Sequence, residues 1–560
     1  MMATAFSFLP PFPLQCSQTA THPLKDNLSS LFRLCHRLLL RRISAAASVT
    51  LDPHQMDGSI VLYPSPGRGH LASMVELAKS ILGHRPSFSV TVLLLSTPPP
   101  DTHFVAAVSA SHPSITFHHL PAVSLPNTDH LSSSPANFIF STFEIVRLQN
   151  PTLHQTLLSL SRSSDIKAFV IDFFCNAAFG VSTSLNIPTY YYYTSGASGL
   201  ASFLYIPALH KKYPESFKDL NVPIQIPGFP PVSPRDMPMA ISDRSLKVYS
   251  HFLDTAVQMA NSAGIIVNTF DSLEASALRA LRDGHCVPDG ATPPTYCVGP
   301  LVATGGGIEG GGERHECLGW LDSQPSRSVL FLSFGSMGAF STRQLKEMAV
   351  GLEMSGVRFL WVVRVPPPND EARRTLAELE PSVESFLPQG FVDRTNGRGM
   401  IVESWAPQVE VLSHGSVGGF VTHCGWNSVL EAVCRGVPML AWPLYAEQRL
   451  NRAYLVEELK LALSVTESED DGLVSADKLE ERVNELMRSE KGRAVRDRVL
   501  AMRDAAAAAL SKGGSSRSAL AELIESFKAG SGEVDVSNSV TSSMGIGGDL
   551  GSASTVTIST

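Results

Sequence analysis

Two α/β domains, each a parallel sheet covered by helices, are the architecture this sequence predicts, and three observations carry it. The chain has 560 residues, too many for one core at roughly 100–200 residues per domain. Its middle carries the run Gly305-Gly-Gly-Ile-Glu-Gly-Gly-Gly312, a linker by composition. The same local grammar stands on both sides of that run: a short apolar strand, a glycine turn, a helical pattern, a second strand. Such alternation produces parallel sheets with helices on both faces.

Taken in order, residues 1–55 stand apart. Lys25, Arg33, Arg37, Arg41 and Arg42 face only Asp26 and Asp52, and Ser and Ala are frequent. This is either a plastid transit peptide or an extension without function upstream of Met56, in which case the protein is cytoplasmic. Residues 56–304 form the first domain. Ser59 to Pro64 reads as a strand, Leu71 to Leu82 as a helix and Phe88 to Ser96 as a strand. The linker takes 305–315 and the second domain 316–510, opening with a strand at Ser328 to Phe334, a turn at Gly335 to Gly338 and a helix at Thr342 to Ser355. A last helix occupies 511–529, and the Ser-, Gly- and Thr-rich stretch 530–560 reads as a disordered tail.

Composition excludes several functions. Lys plus Arg total 44 against 52 Asp plus Glu, a net charge of −8 without the basic footprint of a nucleic-acid binder. Eight cysteines without one C-x-x-C spacing argue against a disulfide framework and a structural zinc site. Tyr190 to Leu209 lacks charge but carries Gly196, Gly199 and Pro207, so a buried strand–turn–helix fits better than a membrane span.

In the first half, Gly67-x-Gly69-x-x-Ala72 follows a strand and opens a helix, which is where open α/β sheets bind ligands. A nicotinamide-binding domain needs an acid at the end of the second strand; here that strand ends Leu95-Ser96-Thr97-Pro98. His70 lies in the turn and is suited to take a proton near neutral pH. Asp172 is the only formal charge between Ala168 and His210. A lone carboxylate in apolar surroundings needs a partner. A backbone amide or an arginine would serve; an imidazole would make it half of a general-base dyad.

In the second half, Phe420 to Thr422 is a strand, Cys424-Gly425 a turn and Trp426 to Cys434 a helix. The helix N-terminus bears Gly425, Asn427 and Ser428, with His423 just before it, an arrangement suited to anions. Trp405-Ala-Pro-Gln408 stands upstream, Glu431 one turn into the helix, and Glu447-Gln448 beyond the next strand. An indole can stack on a base, a carboxylate can accept two ribose hydroxyls, and a Glu-Gln pair can bind sugar hydroxyls.

The ordered set Trp405 to Gln448 resembles the signature box of plant family 1 UDP-glycosyltransferases, and the likeness extends from Met56 to about Lys528, including Pro66-Gly-Arg-Gly-His70 and Ile171-Asp172-Phe-Phe-Cys. The look is that of members that glucosylate flavonoids, chalcones and related phenolics. The resemblance implies a GT-B fold with the acceptor in the first half, the UDP-sugar in the second, and a final helix, Ser515 to Lys528, crossing back to the first. It implies that Trp405 stacks on uracil with backbone contacts from Ala406, and that Gln408 and Glu431 hold the ribose. His423, Asn427, Ser428 and Ser336 bind the phosphates, with Gly425 at the helix start. Trp426, Glu447 and Gln448 face the hexose, and Thr194 reaches it from the first half. His70 acts as base and Asp172 steadies it. No cofactor or metal is expected, because the helix N-terminus and His423 bear the leaving group's charge. The expected partners are a UDP-sugar and a small phenolic acceptor, without nucleic acid, for a monomeric protein. The acceptor is expected to be lined by variable loops of the first domain, such as Val123 to Phe143 and the stretch Ile224 to Met239. The alternatives are a non-phenolic acceptor such as a terpenoid or hormone, another UDP-sugar, a catalytically dead binding protein, or a nicotinamide-dependent oxidoreductase.

Overall fold

The structure, a computed structural model, describes residues 57–125, 135–303, 314–365 and 382–529. The extension 1–55, the glycine run 305–312 and the tail 530–560 lie outside the described residues.

The first sheet has seven strands: β1 Gly58–Tyr63, β2 Phe88–Leu94, β3 Ile115–His119, β4 Ile166–Asp172, β5 Thr189–Tyr193, β6 Gly264–Val267 and β7 Thr295–Cys297. Their order is β3-β2-β1-β4-β5-β6-β7, and every pairing is parallel. The second sheet has six: β8 Val329–Ser333, β9 Arg358–Val363, β10 Gly399–Glu403, β11 Val417–Thr422, β12 Met439–Ala441 and β13 Ala462–Ser464. Their order is β10-β9-β8-β11-β12-β13, again wholly parallel. Strands buried on both faces read as continuous apolar runs, as Ile60-Val-Leu-Tyr63 and Val329-Leu-Phe-Leu332 do.

Each sheet reverses its winding direction once, between β1 and β4 in the first and between β8 and β11 in the second. At such switch points the connections leave to opposite faces and open a crevice at the strands' carboxyl ends. His70 follows β1 and Asp172 ends β4; Gly335 follows β8 and His423 follows β11. The two crevices are therefore where the candidate residues stand.

Two local expectations shift. The first helix runs Arg68–His84, so it starts three residues before Leu71 and holds His70 in its first turn. Its N-cap, Gly67, has φ 118°, a backbone region that glycine enters without steric cost. The expected acceptor segment Val123 to Phe143 is helical from Pro135, within the helix Pro135–Ser163, and 126–134 lies outside the described residues. The final helix, Ser515–Ala529, buries Leu523, Ile524 and Phe527 in the core formed by Ile60, Val90 and Val170 of the first sheet. Phe527 meets Tyr190 edge-on at 5.0 Å. No helix among the described residues is long and apolar enough to cross a membrane.

Candidate active site

At the first switch point, Nδ1 of His70 lies 2.7 Å from Oδ2 of Asp172. The other carboxylate oxygen of Asp172 accepts the Phe174 amide at 3.1 Å, so the fully buried Asp172 has both oxygens engaged. The carboxylate bond orients the ring and directs Nε2 away from Asp172. Burial alone would push the His70 imidazole down, but the charge of Asp172 and its hydrogen bond, helped by Glu447 from the second half, hold it above its ordinary value. A raised value makes the ring a better proton acceptor once deprotonated. Thr194 Oγ1 stands 3.4 Å from His70 Nδ1, so it sits beside the base.

An aromatic wall borders this dyad. Phe174 meets His70 edge-on at 5.6 Å, and Phe173, Phe143, Phe203 and Phe252 continue the cluster. Phe173 and Phe174 are only partly buried. Sequence reasoning used Asp172 and passed over the two rings that follow it.

At the second switch point, the helix Trp426–Arg435 begins after Gly425 without a side-chain cap, which leaves its first N–H groups for a ligand. His423 is sandwiched between Gly335 and Gly425, and a Cβ at either glycine would collide with its Nε2. Burial pushes the His423 imidazole down to about 4. It is therefore neutral at pH 7, so what it can offer the leaving group is a hydrogen bond. Its Nδ1 is buried with no hydrogen-bond partner in the protein.

Gln408 Nε2 donates to Ser428 Oγ at 2.8 Å and to Glu431 Oε2 at 2.6 Å, so these three side chains form one polar cluster. Burial pushes the Glu431 carboxyl up to about 7, against the opposing pull of Gln408. Trp405 is 42% exposed with the ring of His315 edge-on at 5.8 Å, leaving a face open to a base; Ala406 beside it is buried. Ser336 is exposed in the turn after β8.

Three expectations change here. Trp426, expected to face a hexose, is buried, and its Nε1–H donates to the Asn268 carbonyl at 2.7 Å. It pins the second half to the first. Asn427 Nδ2 donates to the Gly69 carbonyl at 3.5 Å, leaving a buried, unpartnered Oδ1. An acceptor suits a ligand hydroxyl rather than a phosphate oxygen. Gln448 Oε1 accepts the amides of Leu444 and Tyr445, both at 2.9 Å. Only its NH₂ remains for a ligand, while Glu447 is partly exposed next to it.

Sequence reading also missed the backbone strain. Ser404, Cys424 and Ala446 have φ of 64°, 66° and 53°, and each adjoins a site residue: Trp405, His423 and Glu447. Non-glycine residues in this region cost of order 1–3 kcal/mol each and cluster at functional sites.

Paired switch-point crevices, one with a base dyad and one with a nucleotide-type site, define a sugar-nucleotide transferase of the GT-B class. Residues 306–494 match the family described as UDP-glucoronosyl and UDP-glucosyl transferase. The chain is 52% identical to anthocyanidin 5,3-O-glucosyltransferase of a Rosa hybrid cultivar, with 84% of this chain and 99% of the relative covered. It is 48% identical to isoflavone 7-O-glucosyltransferase 1 of Glycine max, covering 84% and 100%. Among solved structures, Phytolacca americana UGT2 complexed with UDP-2fluoro-glucose and pterostilbene superposes with a TM-score of 0.74 at 38% identity, covering 84% of this chain and 99% of that one. The chain belongs to the plant family 1 UDP-glycosyltransferases.

Proposed function

We propose that this enzyme moves glucose from UDP-glucose to a hydroxyl of a small phenolic acceptor, giving a β-O-glucoside with inversion. The observation that carries the reading is the placement of a His–Asp dyad at one crevice and an open, uncapped helix N-terminus with unpartnered polar atoms at the other. The acceptor hydroxyl lies against His70 Nε2, with its ring on Phe173 and Phe174. His70 takes the hydroxyl proton while the oxygen attacks the anomeric carbon and the bond to the UDP oxygen breaks. Asp172 stabilises the imidazolium.

The nucleotide stacks on Trp405, with Ala406 at its edge. Gln408 and Glu431 hold the ribose. Amides after Gly425, with Ser428, neutral His423 and Ser336, receive the diphosphate, whose developing charge is met by donors already in place. Glu447, the NH₂ of Gln448 and Thr194 line the hexose. The relatives named for anthocyanidin and isoflavone substrates, and one named for phloretin at 47% identity, support a flavonoid-type acceptor. Purified protein with UDP-glucose and a panel of phenols tests the reading. Masses of monoglucosides with a β-anomeric proton signal are expected; turnover of terpenoid alcohols alone would replace the phenolic assignment.

A further inference from the structure

The segment that carries the hexose-facing residues belongs, by its packing, to the other half of the molecule. The helix Gln448–Ala453 continues into a π-helical turn, Tyr454–Glu458. Gln448, at its first position, shapes the Leu444–Tyr445 loop, and Asn451 bonds the Cys424 carbonyl at 2.9 Å. Leu450 and Tyr454, however, are buried in the core of the first half, with Ile226, Val232 and Met237. Tyr454 meets the Phe229 ring at 5.1 Å. One helical turn after Gln448, Arg452 Nη2 reaches Asp236 Oδ1 at 2.5 Å, with side chains 19% and 15% exposed. Asp236 lies in the turn Pro234–Asp236, part of the Ile224–Met239 segment. A neighbouring pair across the same divide, Arg235–Glu469 at 3.6 Å, is 77% and 84% exposed, where solvent screening leaves little coupling.

We propose that Asp236 and Arg452 are positioning residues: through this partly buried ion pair the acceptor-side segment holds the helix that presents Glu447 and Gln448, so donor-sugar discrimination depends on a residue that touches no donor atom. The proposal rests on the glucosyl-transfer reading. An ion pair shielded from water fixes geometry more strongly than an exposed one. The helix it fixes offers two sugar-facing side chains but none of the groups assigned to uracil, ribose or phosphate. Loosening it therefore acts on the sugar and spares UDP.

The test compares wild type, Asp236→Asn, Arg452→Gln, the exchanged pair Asp236→Arg with Arg452→Asp, and Arg235→Gln. Each is assayed with UDP-glucose and UDP-galactose, and UDP binding is measured by calorimetry. In the two single variants, KM for UDP-glucose rises by about fivefold or more, the glucose-over-galactose preference shrinks, and UDP affinity stays at its wild-type value. The exchanged pair restores KM and preference, and Arg235→Gln matches wild type. Single variants with unchanged KM and preference overturn the proposal. So does a loss of UDP affinity in step with that of UDP-glucose, the mark of a general structural defect. Should the single variants fail to fold, a folded exchanged pair decides: wild-type sugar preference supports the coupling and lost preference overturns it. Wild type that binds UDP but does not turn over UDP-glucose would strike the glucosyl-transfer reading itself.

Discussion

His70 Nδ1 and Asp172 Oδ2 lie 2.7 Å apart although 102 residues separate them in the chain, because β1 and β4 are neighbours at the switch point of the first sheet. The dyad stands in one half and the polar cluster of Gln408, Ser428 and Glu431 in the other. His70→Ala is therefore expected to lower kcat by about 10²–10⁴-fold while leaving UDP affinity intact by calorimetry. Asp172→Asn acts through the ring. Burial, the largest single influence and one that pushes His70 down, stays, while the carboxylate charge, which together with its hydrogen bond and Glu447 overcomes it, goes. The base-competent neutral form then persists to lower pH. The acid limb of the kcat/KM profile should move to lower pH as the plateau falls; an acid limb that stays in place would remove Asp172 from the dyad.

Glu431 carries a second pH signature. Its carboxyl is pushed up to about 7 by burial, whereas ribose hydroxyls donate to the ionised form and so bind it in preference. UDP-glucose affinity should weaken as pH falls through about 7. Titration calorimetry across that range checks this, and Glu431→Gln should bind more weakly throughout with the pH dependence removed.

Full transfer activity is expected in excess EDTA. Among the described residues no group of three His, Cys, Asp or Glu side chains could hold a metal ion. In the proposed reading the diphosphate is received instead by the uncapped N-terminus of the helix Trp426–Arg435, which favours anions. Loss of turnover in EDTA with recovery on Mg²⁺ would refute it; a modest metal effect through relief of UDP inhibition would not.

The fold and the dyad were legible because they follow from local pattern. Apolar runs between glycine turns locate β1, β8 and β11, and a lone carboxylate at Asp172 announces a partner. What escaped the sequence depends on contacts between distant segments. Nothing around Asn268 or Asp236 marks the carbonyl that receives Trp426 or the carboxylate that receives Arg452. Trp426 and Gln448 were placed from the family pattern on the hexose, but the pattern does not say which of their polar atoms the fold itself consumes. The sequence leaves the charge of His423 open; the burial between Gly335 and Gly425 makes it neutral.

Gly196 tests how closely the halves must meet. A Cβ there would stand 2.6 Å from Glu274 Oε1 and 2.7 Å from Trp426 Cζ2. Glu274 cannot retreat: its oxygens accept the amides of Ala197 and Ser198 at 2.7 and 2.9 Å and the Thr269 hydroxyl at 2.6 Å. Gly196→Ala should cost about 1–3 kcal/mol by overpacking, read as a lowered melting temperature. It should also depress kcat by displacing Trp426 from Asn268. Wild-type stability and turnover in this variant would show that the indole has room to shift.

The donor preference follows from the charges that face the hexose. UDP-glucuronate brings a carboxylate, which a guanidinium would pair bidentately. No guanidinium is among the groups assigned to the hexose, and Trp426, whose only N–H is donated to Asn268, lies outside that set. The NH₂ of Gln448 donates to a hydroxyl and a carboxylate alike, so the discrimination rests on the carboxylate of Glu447, which repels a second anion. Arg68 is the cation nearest in sequence to His70, but it stands 3.4 Å from Asp101, directed towards that side chain. A poorly paired carboxylate costs about 1–3 kcal/mol, so UDP-glucose should be preferred by about tenfold or more over UDP-glucuronate. The two donors are mixed at equal concentration with one phenol and the products separated by mass. A glucuronide as the main product would overturn the assignment of glucose as donor and point to Arg68 leaving Asp101 for the sugar.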